Sequence, residues 1–194
     1  MTGLAPIWVL RHGETEWNRA GRMQGVLDSP LTDLGRAQAR ALGILLTGEG
    51  VTARSHRFVC SPQGRARATA DIALADIGAR VEVIDDLAEI DVGDWTGLAR
   101  AEFMAGRQDL EALDWLELYG HAPGGEGFDA LWARVGRVLD AVDGPTVMVT
   151  HGVTSRALRT RAMGWDIDRL AELPGGQGVI HHVAGGRHRQ IGEA

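Results

Sequence analysis

Two histidines in this chain stand in the same local setting. His12 follows the apolar run Ile7-Trp8-Val9-Leu10 and Arg11, and precedes Gly13; His151 follows Val147-Met148-Val149-Thr150 and precedes Gly152. A buried strand that ends in a polar side chain and a glycine presents that side chain at a strand's carboxyl end, where open α/β sheets gather their ligands. A neutral imidazole placed there beside a fixed positive charge is suited to attack on an anionic phosphorus centre. Its ring nitrogen can form a phosphohistidine and split one difficult displacement into two. The alternative for a lone histidine is a hydrogen-bonded core residue, and Arg11, Arg65 and His151 weigh against it here.

The run Arg11-His12-Gly13-Glu14-Thr15, with Trp17-Asn18 following, resembles the signature of the histidine phosphatase superfamily, which includes cofactor-dependent phosphoglycerate mutases and broad-specificity phosphatases. Three later segments carry the resemblance further. Ser61-Pro62-Gln63-Gly64-Arg65-Ala66 is similar to the second signature, whose arginine grips phosphate, although Ala68 stands before Thr69 where glutamine is frequent. Glu89, four residues before Gly93, takes the place of the general acid. Thr150-His151-Gly152 matches the second-histidine motif. The resemblance implies that His12 is the nucleophile, that Arg11 and Arg65 clamp phosphate and that Glu89 serves as acid and then base. It makes His151 a charged or hydrogen-bonding partner of a phosphoryl oxygen, with Asn18 and Gln24 as auxiliary contacts. Arginine suits the clamp because its planar fork binds two oxygens and stays charged. Neighbouring positive charge would keep His12 neutral, and the Gly152 N–H, near a helix start, can add a donor. Where relatives carry an asparagine before the last strand, Gln177 and Gly178 stand instead.

Four other polar residues in these segments have simpler readings. Glu14 and Thr15 read as turn and cap residues, and Asp91 and Asp94 as turn formers. Glu89 could also serve as an ion-pair partner of one of the arginines.

The elements that must position these groups alternate strand and helix. Strands are expected near 7–11, 58–61, 81–84, 147–151 and 179–183, the last forming a hairpin with Ile191 around Gly185-Gly186. A helix opens after Thr32 as N-cap, with Leu34, Ala37, Ala41 and Leu45 as its apolar stripe and Gly48 as terminator. A second helix follows Pro62, burying Ala66, Ala70, Ala73 and Ile77 while Arg67 faces outward. Residues 97–120 read as one or two helices, and apolar residues at 128, 131, 135, 138 and 142 mark another. The architecture this implies is α/β: a three-layer sandwich, with a mainly parallel central sheet and helices on both faces. It forms one domain over 1–194 with a cap-like insertion at about 97–127.

Composition bounds the rest. A chain of 194 residues with 44% hydrophobic content supports one sizeable core. The single cysteine, Cys60, rules out an internal disulfide and suits a reducing, cytoplasmic setting. The apolar run Leu4 to Leu10 is too short for a signal or membrane segment. All 20 basic residues are arginine, so the lysine of a Walker-type loop and Schiff-base chemistry are both missing. A net charge of −6 argues against nucleic acid but allows an anionic ligand in a local arginine cluster. The expected partner is a small phosphorylated metabolite, with no membrane and no cofactor, and a homodimer is left open.

Three other functions compete with this one. A metal hydrolase could use His12, Glu14, Glu89 and His151 as ligands, but converging arginines would repel the cation. A phosphoglycerate mutase of the resembled superfamily would carry arginine and tyrosine after the glutamate, where Ile90 and Asp91 stand, and paired arginines in the insertion, which has only isolated Arg100 and Arg107. The expectation is therefore a phosphatase; a catalytically dead binding protein would be expected to have lost one of these groups. Trp95, Phe103, Met104 and Trp115 suggest either an apolar rim or core.

Overall fold

In the computed structural model, which describes residues 3–193, six strands form one sheet in the order β3-β2-β4-β1-β5-β6. They are β1 (Ile7–Arg11), β2 (Arg57–Cys60), β3 (Val81–Val83), β4 (Thr146–Thr150), β5 (Ile180–Ala184) and β6 (Arg187–Ile191). The first four run parallel, and the β5–β6 hairpin adds antiparallel to β1. The expected mainly parallel sheet is what forms, each boundary lying within one residue of the expected one.

Period-2 alternation sorts β1 between two cores. Ile7 and Val9 face the layer of α5 (Gly127–Asp140) and α6 (Gly152–Ala162), whereas Trp8 and Leu10 face that of α2 (Asp33–Gly48) and α3 (Gly64–Ala73). Burying both faces is what makes the strands continuous apolar runs. A short α1 (Glu16–Arg19) and α4 (Arg100–Met104) complete the helices. No described helix is long and apolar enough to cross a membrane.

The structure corrects the expected face of α2. Thr32 is its N-cap, accepting from the Gly35 N–H, but the buried positions are Gly35, Ala39, Leu42 and Leu46, with Leu34 54% exposed. Backbone contact sets this rotation. A Cβ on Gly13 would lie 2.2 Å from the Gly35 carbonyl oxygen, and one on Gly35 would lie 2.0 Å from that of Glu14. Only glycines allow the helix to press on the turn after β1, and once Gly35 faces inward the buried stripe follows at i+4 and i+7. The helix ends at Gly48 as expected, with Glu49 as its C-cap and Gly50 just beyond it in the left-handed conformation (φ 76°). In α3, Ala66, Ala70 and Ala73 are buried as expected, but the helix ends at Ala73, so Ile77 packs from the turn beyond it.

Residues 97–120 were expected to be one or two helices and are mostly tight turns. Only α4 is α-helical, followed by 3₁₀ turns at Gln108–Leu110 and Glu117–His121. Phe103, Leu110, Leu116 and Leu118 are buried beneath them. Apolar residues spaced at three to four positions mark a buried face equally well in single turns as in a continuous helix.

Candidate active site

Because β1 and β4 are adjacent and parallel, with Arg11 opposite Thr150, the two strand-end histidines emerge side by side. The His12 N–H donates to the Thr150 carbonyl (2.9 Å), and the imidazole centroids lie 5.1 Å apart. The two rings are therefore on one side of one strand end. They nevertheless sit in different surroundings.

His12 lines a cavity of ≈ 40 Å³ together with Arg11, Asn18, Gln24, Arg65, Glu89 and Tyr119. Its Nδ1 lies 2.8 Å from the Gly13 carbonyl oxygen. A carbonyl only accepts, so Nδ1 carries the proton and Nε2 keeps its lone pair. Burial holds the ring well below the usual histidine pKa, with the Arg11 and Arg65 charges adding to it. Burial, more than the neighbouring charges expected from the sequence, keeps this base neutral. His151 lies outside the cavity wall and is fully buried, its Nε2 2.7 Å from Ser61 Oγ. Burial, then Arg65 and His12, hold its pKa well down too. Of the two expected roles for His151, the charged one is disfavoured in this resting site and the hydrogen-bonding one remains.

The two arginines differ as well. Arg65 is almost spoken for: it donates to the carbonyls of Leu27 and Gly25 and pairs with Asp28 at 2.8 Å, which leaves its buried Nε unpartnered. Arg11 makes no side-chain hydrogen bond or ion pair among the described residues, and its Nε is buried and unpartnered. A half-buried guanidinium whose inward Nε has no partner is costly unless an anion completes it.

Glu89 was expected either as an acid or as an ion-pair partner of an arginine. Among the described residues its carboxylate makes no ion pair, and it caps the start of α6. Oε2 accepts from the Val153 N–H (3.2 Å), and Oε1 accepts from the Thr154 N–H, the Thr154 hydroxyl (both 3.1 Å) and the Ile90 N–H. Gly152, the first residue of that helix, leaves room for the site: a Cβ on it would be 3.4 Å from the Arg11 guanidinium carbon and 3.7 Å from Glu89 Oε2. Its N–H is one of the unsatisfied donors of a helix start.

Asn18 and Gln24 also reach the cavity. Asn18 closes a capping box with Thr15, and its Oδ1 additionally accepts from Gln177. Gln24, which the sequence alone allows as a solvated loop residue, is 8% exposed with its Oε1 unpartnered. Glu14 turns away to accept from the Thr32 hydroxyl at 2.8 Å. The four ligands imagined for a metal hydrolase are thus not gathered, and among the described residues no group of three or more His, Cys, Asp and Glu side chains is arranged to hold a metal.

Several participants escape sequence reasoning. Gln177, standing where asparagine was expected, donates to the His12 carbonyl (3.1 Å). Arg134 donates to the carbonyls of Asp86 and Ala88 while pairing with Glu126, and Gln63 accepts from the Glu89 N–H; together they fix the acid loop. Tyr119 enters from the turns of 117–121, its phenol pKa pushed up to about 12 by burial and by Glu89. Gln63 lies within the second signature and Gln177 at the place of the missing asparagine, Arg134 carried a signal as a charge on the buried stripe of an amphipathic helix, and Tyr119 carried none. Trp95 and Phe103 stack on each other in the core at 4.5 Å, whereas Trp115 is 44% exposed. Of these three, Trp115 stands at the rim, Phe103 reaches a neighbouring cavity from the core, and Trp95 is core only.

The geometry agrees with what comparison with known proteins shows. Residues 7–191 match the description of the histidine phosphatase superfamily, branch 1. The chain is 34% identical over 181 residues to a glucosyl-3-phosphoglycerate phosphatase of Mycolicibacterium vanbaalenii, covering 86% of this chain and 78% of that one. It is 30% identical over 174 residues to a probable phosphoglycerate mutase of Photorhabdus laumondii, covering 81% and 74%. The solved structure of a mycobacterial glucosyl-3-phosphoglycerate phosphatase complexed with VO3 superposes with a TM-score of 0.80 at 31% identity, covering 96% of both chains. With His12 and Arg11 in one small cavity and His151 buried beside them, this chain belongs to the histidine phosphatase superfamily.

Proposed function

We propose that the chain is a phosphomonoester hydrolase working through a phosphohistidine at His12. The observation that carries this reading is the pairing, in one cavity, of a neutral imidazole with its Nε2 lone pair free and a half-buried arginine whose Nε is unpartnered. Arg11 donates to the oxygens of the transferring phosphoryl group, and the remaining Nε of Arg65 adds to it. Nε2 of His12 forms an N–P bond as the bond from phosphorus to the alcohol oxygen breaks. The Gly13 carbonyl, accepting from Nδ1–H, offsets the positive charge the ring gains. Glu89 gives its proton to the leaving alkoxide. It then takes one from a water whose oxygen attacks phosphorus, and the N–P bond breaks to return neutral His12 and free phosphate. His151 steadies a phosphoryl oxygen, Asn18 and Gln24 contact the substrate, and the Gly152 N–H adds a donor.

Hydrolysis is favoured over mutase action by the surroundings of Glu89. Ile90 is buried in the core and Asp91 is turned to the Gly93 N–H, so the acid loop offers no cation to retain a bisphosphate. The reading also includes independence from metal, since arginine takes the cation's place, and a cytoplasmic setting for a chain whose single cysteine is free and buried. The turns of 97–127 act as a cap over a small phosphorylated metabolite, within one domain. The test is rapid-quench labelling with a phosphate ester. An acid-labile phosphoenzyme should form and decay to free phosphate, and vanish in His12→Ala. Rapid isomerisation of 3-phosphoglycerate without phosphate release would assign the mutase instead.

A further inference from the structure

A second cavity of ≈ 230 Å³ adjoins the phosphate cavity, the two sharing Asn18, Arg22, Met23 and Tyr119 as common wall. On the reading above, this is where the alcohol half of the ester must lie. Its wall has two unlike parts. One is aromatic: Phe103, Trp115 and Tyr119, the last two edge to face at 5.9 Å. The other is cationic: Arg22 and Arg100 line it, and no acidic side chain does.

The two arginines are not used up by the protein. Arg22 spends one nitrogen on the Gly97 carbonyl, with Glu102 a loose 3.9 Å away. Arg100 is exposed and makes no hydrogen bond or ion pair among the described residues. In a chain of net charge −6, two under-used cations on an acid-free wall are a local reversal of sign. The phosphoryl group does not account for both: Arg22 stands on the wall between the two cavities, and Arg100 lines only the second, while Arg11 and Arg65 line the phosphate cavity. Resting on the phosphatase reading, we propose that this cavity selects phosphomonoesters whose alcohol carries a second anionic group. That anion is held by Arg22 and Arg100 while a planar or apolar body lies against Trp115 and Tyr119.

Matched esters test this. Phenyl phosphate and 4-carboxyphenyl phosphate present the same ring, the second with an added carboxylate that changes the leaving group little. The expected result is a kcat/KM about tenfold higher for the carboxylate, equal to 1.4 kcal/mol, shrinking as salt is raised. In Arg100→Gln and in Arg22→Gln that ratio should fall toward one, and the exposed Arg100 position makes loss of folding an unsuitable explanation, which a melting curve checks. A wild-type ratio near one with turnover that still depends on His12 would overturn the anion reading alone. So would a ratio undiminished in both variants. Turnover undiminished in His12→Ala would overturn the phosphohistidine reading and this one with it.

Discussion

His12 and His151 arise from one sequence design and end in different states. Both close a buried strand, both precede a glycine, and adjacent parallel strands set their rings 5.1 Å apart. The turn after β1 presses on α2 through Gly13 and Gly35, which leaves the His12 ring facing the cavity with its proton fixed on Nδ1 by the Gly13 carbonyl. The turn after β4 runs straight into α6, so His151 becomes that helix's N-cap residue, with its Nε2 held by Ser61 Oγ and only its buried Nδ1 unpartnered. A strand-histidine-glycine sequence therefore specifies where a histidine stands and not what it can do. Access to the cavity and the partner of the second ring nitrogen decide that.

The sharpest way to break this comparison is to remove each ring. His12→Ala should abolish turnover and phosphoenzyme formation, because no lysine exists and Cys60 is buried in the core. His151→Asn should still form phosphoenzyme, with kcat lower on the order of 10²-fold, the scale of losing one oxyanion donor. Equal and complete loss in both would erase the distinction between them.

Next in size is Glu89→Gln, which should cost about 10²–10⁴ in kcat for alkyl phosphates, the usual worth of a general acid. The loss should be smaller for nitrophenyl phosphate, whose leaving group needs less protonation. A loss that does not vary with the leaving group would show that Glu89 serves only to cap α6.

The arginine pair extends the comparison to stability. Arg65→Gln strips partners from the Leu27 and Gly25 carbonyls and from Asp28, and should lower stability by about 1–3 kcal/mol. Arg11→Gln should impair catalysis while leaving the melting temperature unchanged or higher, since it removes a half-buried charge whose Nε has no partner. A large stability loss at Arg11 would contradict its being free.

Acid titration gives a smaller, graded effect. Burial depresses the pKa of His12 and His151, of His181 to about 3 and of His188 to about 4. The unfolded chain therefore binds more protons as pH falls below roughly 6.5, so stability is full above that value and drops as pH falls toward about 3. Urea midpoints measured from pH 7 to 4 should decline steadily, and His188→Asn should flatten the decline. The smallest expected effect is that of EDTA, which should leave turnover unchanged; a loss restored by one divalent ion would move the chemistry from arginine to a metal.

What the sequence determined by itself is local and periodic. Continuous apolar runs placed the strands of the central sheet, Thr32 announced its helix, and the residues around His12, Arg65, Glu89 and His151 were legible because each sits where a strand gives way to a loop or helix. What only the tertiary structure decided depends on contacts between segments distant in the chain. The face of α2 was misread because a glycine-to-glycine backbone contact, with no hydropathy signature, outweighs the leucine pattern. The 97–120 segment was misread because single turns and helices share one spacing. Gln177, Arg134 and Tyr119 reach the site across 165, 46 and other long sequence separations, and pairings of that range leave no local mark. The availability of Arg11 against the engagement of Arg65 is a property of neighbours, Asp28 and the Gly25 and Leu27 carbonyls, that folding alone brings within reach.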